Sequence, residues 1–148
     1  MLSKKTKYAI NALVYLAKGK RGEAIQISRI AESEHISRKF LEAILLALKN
    51  AGVLSSKKGM AGGYYLLMEP AEINIADVMR LFEGPIALLP CVSHKYYERC
   101  EECKDETTCG IRNVFAEIRN ETVNQLKKAT IQNILDRENI LEVALKSK

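Results

Sequence analysis

The chain has 148 residues, 47% of them hydrophobic, and a formal net charge of +5, which fits one domain with a core of its own and a helical extension. No apolar run reaches the ~18 residues that a membrane span needs. The basic start at residues 1–5 leads into a patterned amphipathic segment and not into the apolar core of a signal peptide, so the chain is expected to be soluble, unexported and cytoplasmic.

Residues 3–18 predict a first helix, because Ala9, Leu13, Leu16 and Ala17 recur on one face. Gly19 and Gly22 flank a basic turn, Lys20-Arg21. Residues 25–32 predict a short second helix through the spacing of Ile27, Ile30 and Ala31. After a break at Glu34-His35-Ile36, Ser37 is placed to cap a third helix. Its apolar stripe is Phe40, Leu41, Ile44, Leu45 and Leu48, and Gly52 ends it. Two short helices joined by a tight turn make a helix-turn-helix. Residues 53–58 and 63–67 then predict two strands joined by Gly59-Met60-Ala61-Gly62, a hairpin in the place of a wing.

Asn74 predicts the cap of a further helix carrying Ile75, Val78, Met79 and Phe82 on one side, stopped by Gly84-Pro85. Residues 86–109 show little periodicity and predict mostly loop. From Gly110 a long helix is expected to run to about Asn133, with Ile111, Val114, Phe115, Ile118, Thr122, Leu126 and Ala129 along one side. A domain this small does not cover so long a stripe, which points to a second copy of the chain. Residues 140–145 are apolar enough to pack, without a partner evident in the sequence. The fold class is therefore mainly α with a small β-wing, a winged helix-turn-helix followed by a long C-terminal dimerisation helix. It divides into a DNA-binding unit at residues 1–84, a cysteine-rich sensor loop at 85–109, and a dimerisation helix with its tail at 110–148.

The charge follows the same division. Residues 1–70 hold 12 Lys/Arg against 5 Asp/Glu, whereas residues 71–148 hold 11 against 13, the mark of a polyanion-binding front half. A helix-turn-helix presents the start of its second helix to the major groove of double-stranded DNA. Ser37, Arg38, Lys39 and Glu42 occupy that start. Arg and Lys donate to guanine or phosphate, and Glu accepts from cytosine. Lys57 and Lys58 on the wing, with Lys4, Lys5 and Lys7, are placed for phosphates. An enzyme is not expected, since the chain has two histidines, no nucleophile with a plausible base and no phosphate-binding glycine loop.

The four cysteines are Cys91, Cys100, Cys103 and Cys109. In a chain without an export signal, clustered thiols favour metal or redox chemistry over structural disulfides. They suit an iron–sulfur cluster, a zinc site, a reversible Cys100–Cys103 disulfide, or no ligand at all. Lys95, Arg99, Lys104 and Arg112 lie nearby in sequence and are expected to favour thiolate. His94 is a further possible ligand.

Three stretches together resemble the Rrf2 family of bacterial winged-helix regulators, whose members include iron–sulfur and nitric-oxide-responsive proteins. They are Ile36-Ser37-x-x-Phe40-Leu41-Glu42, then Leu48-x-x-Ala51-Gly52-Val53-Leu54-x-Ser56-x-x-Gly59-x-x-Gly62-Gly63-Tyr64-x-Leu66, then Ile75-x-Asp77-Val78. The resemblance covers nearly the whole chain. It implies a homodimer joined through the long helix, DNA contacts at Glu42 and Lys58, and a cluster of the 2Fe–2S or 4Fe–4S type on Cys91, Cys103 and Cys109. The chain departs from that pattern at Cys100, an extra thiol in a long first gap. It also departs at Arg112, where the iron–sulfur members carry a histidine. The fourth ligand then falls to Cys100, to another residue including one of the other subunit, or is absent.

Overall fold

In a computed structural model describing residues 2–148, the first helix, α1 (Lys4–Lys18), starts where Ser3 accepts the Thr6 amide at 3.2 Å. It buries Ala9, Ala12, Leu13 and Leu16, close to the stripe read from sequence. The next helix, α2 (Ile27–Ser33), begins two residues later than the periodicity suggests, because Ile25 is extended and pairs with the wing. Its turn into α3 (Arg38–Asn50) places His35 at φ 53° and buries Ile36 beneath it.

In α3, Leu41, Ile44, Leu45 and Leu48 are fully buried. Phe40 corrects the predicted stripe: it is 39% exposed and meets Tyr8 of α1 edge-on at the rim, with centroids 5.8 Å apart. At this position the 3.6-residue period turns the side chain off the buried seam. Gly52 follows α3 at φ +77°, the left-handed conformation that releases the chain into the hairpin.

The wing consists of β1 (Leu54–Lys57) and β2 (Gly63–Leu66), antiparallel with Leu54 opposite Leu66 and Lys57 opposite Gly63. Ile25 forms a single separate bridge to β2, exchanging backbone hydrogen bonds of 2.8 and 2.9 Å with Tyr64. This contact accounts for Gly63, which stands at φ +148°, where a Cβ would lie 2.2 Å from the Ile25 carbonyl oxygen.

Asn74 starts α4 (Ile75–Glu83) by accepting the Asp77 amide at 3.0 Å. Ser3 and Thr6 of α1 both donate to the Glu83 carboxylate at its far end, which joins the ends of α1 and α4. Residues 86–109 are loop apart from one 3-10 turn, Pro90–Val92. The long helix α5 (Gly110–Lys128) packs on α4 and on that turn.

The predicted single long helix is in fact two. The chain leaves helical geometry at Ala129 and restarts at Thr130, whose side chain and that of Asn133 cap each other's backbone. The following helix, α6 (Ile131–Lys146), returns to pack on α1. The break is held by backbone pairing: Ile75 N–H donates to Ala129 and Ile131 N–H to Ile73, each at 2.9 Å. Ile131 is fully buried in the same core as Leu13, Ile44, Leu45 and Leu54. A C-terminal element thus completes the core of the N-terminal unit.

Candidate functional site

Two regions carry the residues singled out from sequence. The first is the face formed by α2, α3 and the wing. Arg38, Lys39 and Glu42 are all exposed at the start of α3, as the burial of Leu41, Ile44 and Leu45 on the opposite side requires. Arg38 Nε and Glu42 Oε1 are 3.3 Å apart, an exposed pair worth at most about 1 kcal/mol, so either side chain is easily drawn onto another partner. The Ser37 hydroxyl accepts the Phe40 amide at 3.4 Å, which makes Ser37 first a cap.

The two wing lysines differ. Lys57 donates to the Gly22 carbonyl at 2.8 Å and lies over the Tyr65 ring at 5.1 Å, so it braces the wing against the turn after α1. Lys58 is exposed at the hairpin tip. Sequence reading missed two neighbours. Gln26 donates to the Met60 carbonyl at 2.8 Å, fastening the tip to the start of α2. Arg29 lines the groove between α2 and the wing together with Gln26, Lys57 and Gly62. The outward position of Arg29 on α2 was the available signal. With Arg29, Arg38, Lys39, Lys57 and Lys58 across α2, α3 and the wing, the face suits a polyanion.

The second region is the cysteine loop. Cys91 is buried in the Pro90–Val92 turn, Cys103 and Cys109 are half-buried, and Cys100 is exposed; all four are free thiols. They line one concavity of about 420 Å³, walled by Leu89, Pro90 and Ile111 and bordered by charges of both signs, Arg99 and Arg112 with Glu98, Glu102 and Glu106. The Cys103 amide donates to the Cys100 carbonyl at 3.1 Å, and Arg99 donates to the Cys103 carbonyl at 3.3 Å, which folds this part of the loop back on itself. Cys109 caps α5, its Sγ accepting the Arg112 amide at 3.4 Å.

The neighbouring cations do not make Cys103 acidic, contrary to the sequence-based expectation. Burial, together with the adjacent Cys109 and Cys100 sulfurs, pushes the Cys103 thiol above its ordinary range. In this conformation, no group of three or more His, Cys, Asp or Glu among the described residues is gathered closely enough to hold a metal ion. His94 is exposed and lines a different pocket, with Arg119. The Arg112 Nε is buried without a hydrogen-bond partner, a costly condition for a polar group.

Outside these regions, α5 has two faces. Arg112, Phe115, Arg119, Val123 and Leu126 are half-buried, while Ile111, Val114 and Ile118 form an exposed apolar stripe. Among the described residues no helix is long and apolar enough to cross a membrane.

This architecture recurs in known proteins. Residues 2–137 match the family model Rrf2, described as an iron-dependent transcriptional regulator. An rrf2-like helix-turn-helix transcriptional regulator of Rhodobacter capsulatus is 41% identical over 138 residues, covering 91% of this chain and 92% of that protein. The regulator NsrR of Bacillus subtilis is 28% identical over 143 residues, covering 96% and 95%. The solved structure of CymR, the global cysteine regulator of Bacillus subtilis, superposes with a TM-score of 0.75 at 30% identity, covering 93% of this chain and 97% of that one. A helix-turn-helix with its wing, a basic face across both and a family match spanning nearly the whole chain lead to one assignment: the protein belongs to the Rrf2 family of DNA-binding transcriptional regulators and is not an enzyme.

Proposed function

We propose that the protein is a cytoplasmic homodimer that binds a double-stranded DNA operator and senses iron–sulfur or redox status through its cysteine loop. The start of α3 would read the major groove with Arg38, Lys39 and Glu42, and Ser37 would set the start of that helix. Lys58 and Arg29 would meet phosphates, and Lys57 would hold the wing at the angle that lets them do so. The exposed stripe Ile111, Val114 and Ile118 recurs at helical spacing on α5 and would be covered by its counterpart in a second copy. A two-fold pair of heads of this kind suits a palindromic site.

One observation carries the sensing half: four thiols line a single apolar concavity whose edge holds an orphaned guanidinium nitrogen. The donor set fits a cluster. Cysteine thiolates are the usual ligands of iron–sulfur centres, and an anionic, sulfur-rich group would give the Arg112 Nε the acceptor it lacks. Cys91, Cys103 and Cys109 would be the principal ligands, with Cys100 able to complete the set. Drawing the four sulfurs to bonding distance requires the exposed segment from Cys100 to Cys109 to tighten, and deprotonation of Cys103 accompanies it. A bound cluster would supply a redox- and iron-sensitive charge at the foot of α5. Regulation follows if the two loop states differ in operator affinity.

A second reading has its own support. Cys103 and Cys109 are neighbours, so thiol–disulfide exchange without metal would also change the loop. Protein purified without oxygen separates the two. Visible absorption with iron and sulfide near stoichiometric, lost in Cys91→Ser and Cys109→Ser, is the expected result. A colourless protein that remains so after reconstitution with iron and sulfide, yet changes operator affinity on oxidation, would replace the cluster reading with the thiol one.

A further inference from the structure

A second concavity, of about 150 Å³, lies between α4, the Ser93–Tyr96 stretch and α5. Its polar lining consists of Arg80, His94, Lys95 and Arg119 together with the hydroxyl-bearing Ser93 and Tyr96, and no Asp or Glu lines it. Arg80 is partly satisfied by Asp77, 3.1 Å away. Among the described residues Lys95 and Arg119 have no ion-pair partner. The Arg119 Nε is, in addition, buried without any hydrogen bond.

This arrangement is unfavourable when nothing balances it. Cations held in one pocket repel each other, and a desolvated guanidinium N–H without an acceptor loses the hydrogen bond it would make in water. An anion removes both costs. Arginine pairs with carboxylates through two parallel hydrogen bonds, and at least two cations here lack a carboxylate, which favours two negative groups on one ligand. Pro85, Ile86 and Val123 supply an apolar part of the wall, which suits a short carbon body between charged ends more than a compact inorganic ion.

We propose that this pocket is an effector site for a small organic dicarboxylate, held chiefly by Arg119 and Lys95. None of the four cysteines lines the site. It draws its lining from α4 in the DNA-binding body, from residues just after Cys91, and from α5, so one bound molecule touches all three.

The test is calorimetric titration of the full-length protein with malonate, succinate, glutarate and inorganic phosphate in a buffer free of carboxylate and phosphate. At least one dicarboxylate is expected to bind with a Kd below about 1 mM. Arg119→Gln should weaken it by about 10- to 100-fold, the weight of a charge-assisted hydrogen bond. Lys95→Ala, at an exposed loop position, should weaken it severalfold while leaving the circular dichroism spectrum and melting temperature unchanged, so that loss of binding is not loss of fold. Absence of heat with every dicarboxylate at about 10 mM, binding of phosphate alone, or dicarboxylate binding indifferent to both substitutions would each overturn the proposal.

Discussion

Truncating Ile131 to alanine tests whether the last helix belongs to the DNA-binding unit. Ile131 is fully buried, the only residue of α6 that is, and it sits in one core with Leu13, Ile44, Leu45 and Leu54. The substitution removes three buried carbons. Cores that relax only partly around such a change lose about 2–5 kcal/mol, and full burial against α1 places this site near the middle, at about 3–4 kcal/mol. For a chain of this size each kcal/mol shifts the melting temperature by roughly 2–4 °C, so a fall of roughly 10 °C is expected. The assay is thermal unfolding followed by circular dichroism at fixed protein concentration and fixed metal content, since association and ligands also move the midpoint. Met60→Ala, at the 94% exposed wing tip, is the control and should stay within about 0.5 kcal/mol of wild type. If Ile131→Ala cost less than about 1 kcal/mol, the docking of α6 on α1 would not be a structural part of the fold, and the reasoning would fail.

Three further outcomes are expected. Lys58→Ala should weaken binding to operator and to unrelated duplex DNA alike, and lower the slope of log affinity against log salt by about 0.9, as measured by fluorescence anisotropy; an unchanged slope would remove Lys58 from the phosphate contacts. Gly63→Ala should loosen the wing, because the new methyl would meet the Ile25 backbone and φ would stay at +148°. Operator affinity should fall while α-helical content is retained, and backbone strain of this kind costs about 1–3 kcal/mol. Glu83 accepts hydrogen bonds from Ser3 and Thr6, which hold its carboxyl at about 2 against an ordinary 4.5. A depressed folded-state value stabilises the fold above pH 4.5, and that contribution is lost as pH falls towards 2. Urea unfolding across this window should therefore show a weaker pH dependence for Glu83→Gln than for wild type.

Much of the fold is legible in the chain because local signals and tertiary packing agree. Ser3, Ser37 and Asn74 each cap the helix that follows, and the buried positions of α1, α3 and α4 recur at helical spacing. The misses have particular causes. Leu126 and Ala129 continue the α5 stripe, so periodicity runs on through a break that only the backbone pairing of residues 73–75 with residues 129–131 reveals. Ile25 sits among helix-compatible neighbours, yet a single bridge to Tyr64 holds it extended, and one rung leaves no pattern to read. Lys57 and Lys58 are indistinguishable in sequence. They are separated by the Gly22 carbonyl and the Tyr65 ring, which occupy Lys57 alone. The four cysteines are obvious as a cluster of thiols. That they share one apolar concavity with Arg112, while His94 lines another, depends on how the loop folds and is not encoded in their spacing.

The sulfur of Cys109 stands where most helices place a hydroxyl or a carboxylate. An oxygen N-cap contributes about 0.5–2 kcal/mol to the helix it starts; a sulfur accepts more weakly, and it is the one kind of capping atom that can be oxidised, alkylated or bound by a soft metal. The start of α5 is therefore chemically addressable: a change at a single sulfur acts on the first turn of the helix, the turn that carries Ile111 and Arg112, the outward stripe and the inward guanidinium at once. Oxidation or ligation of that sulfur would turn a thermodynamic term that other helices hold constant into a variable.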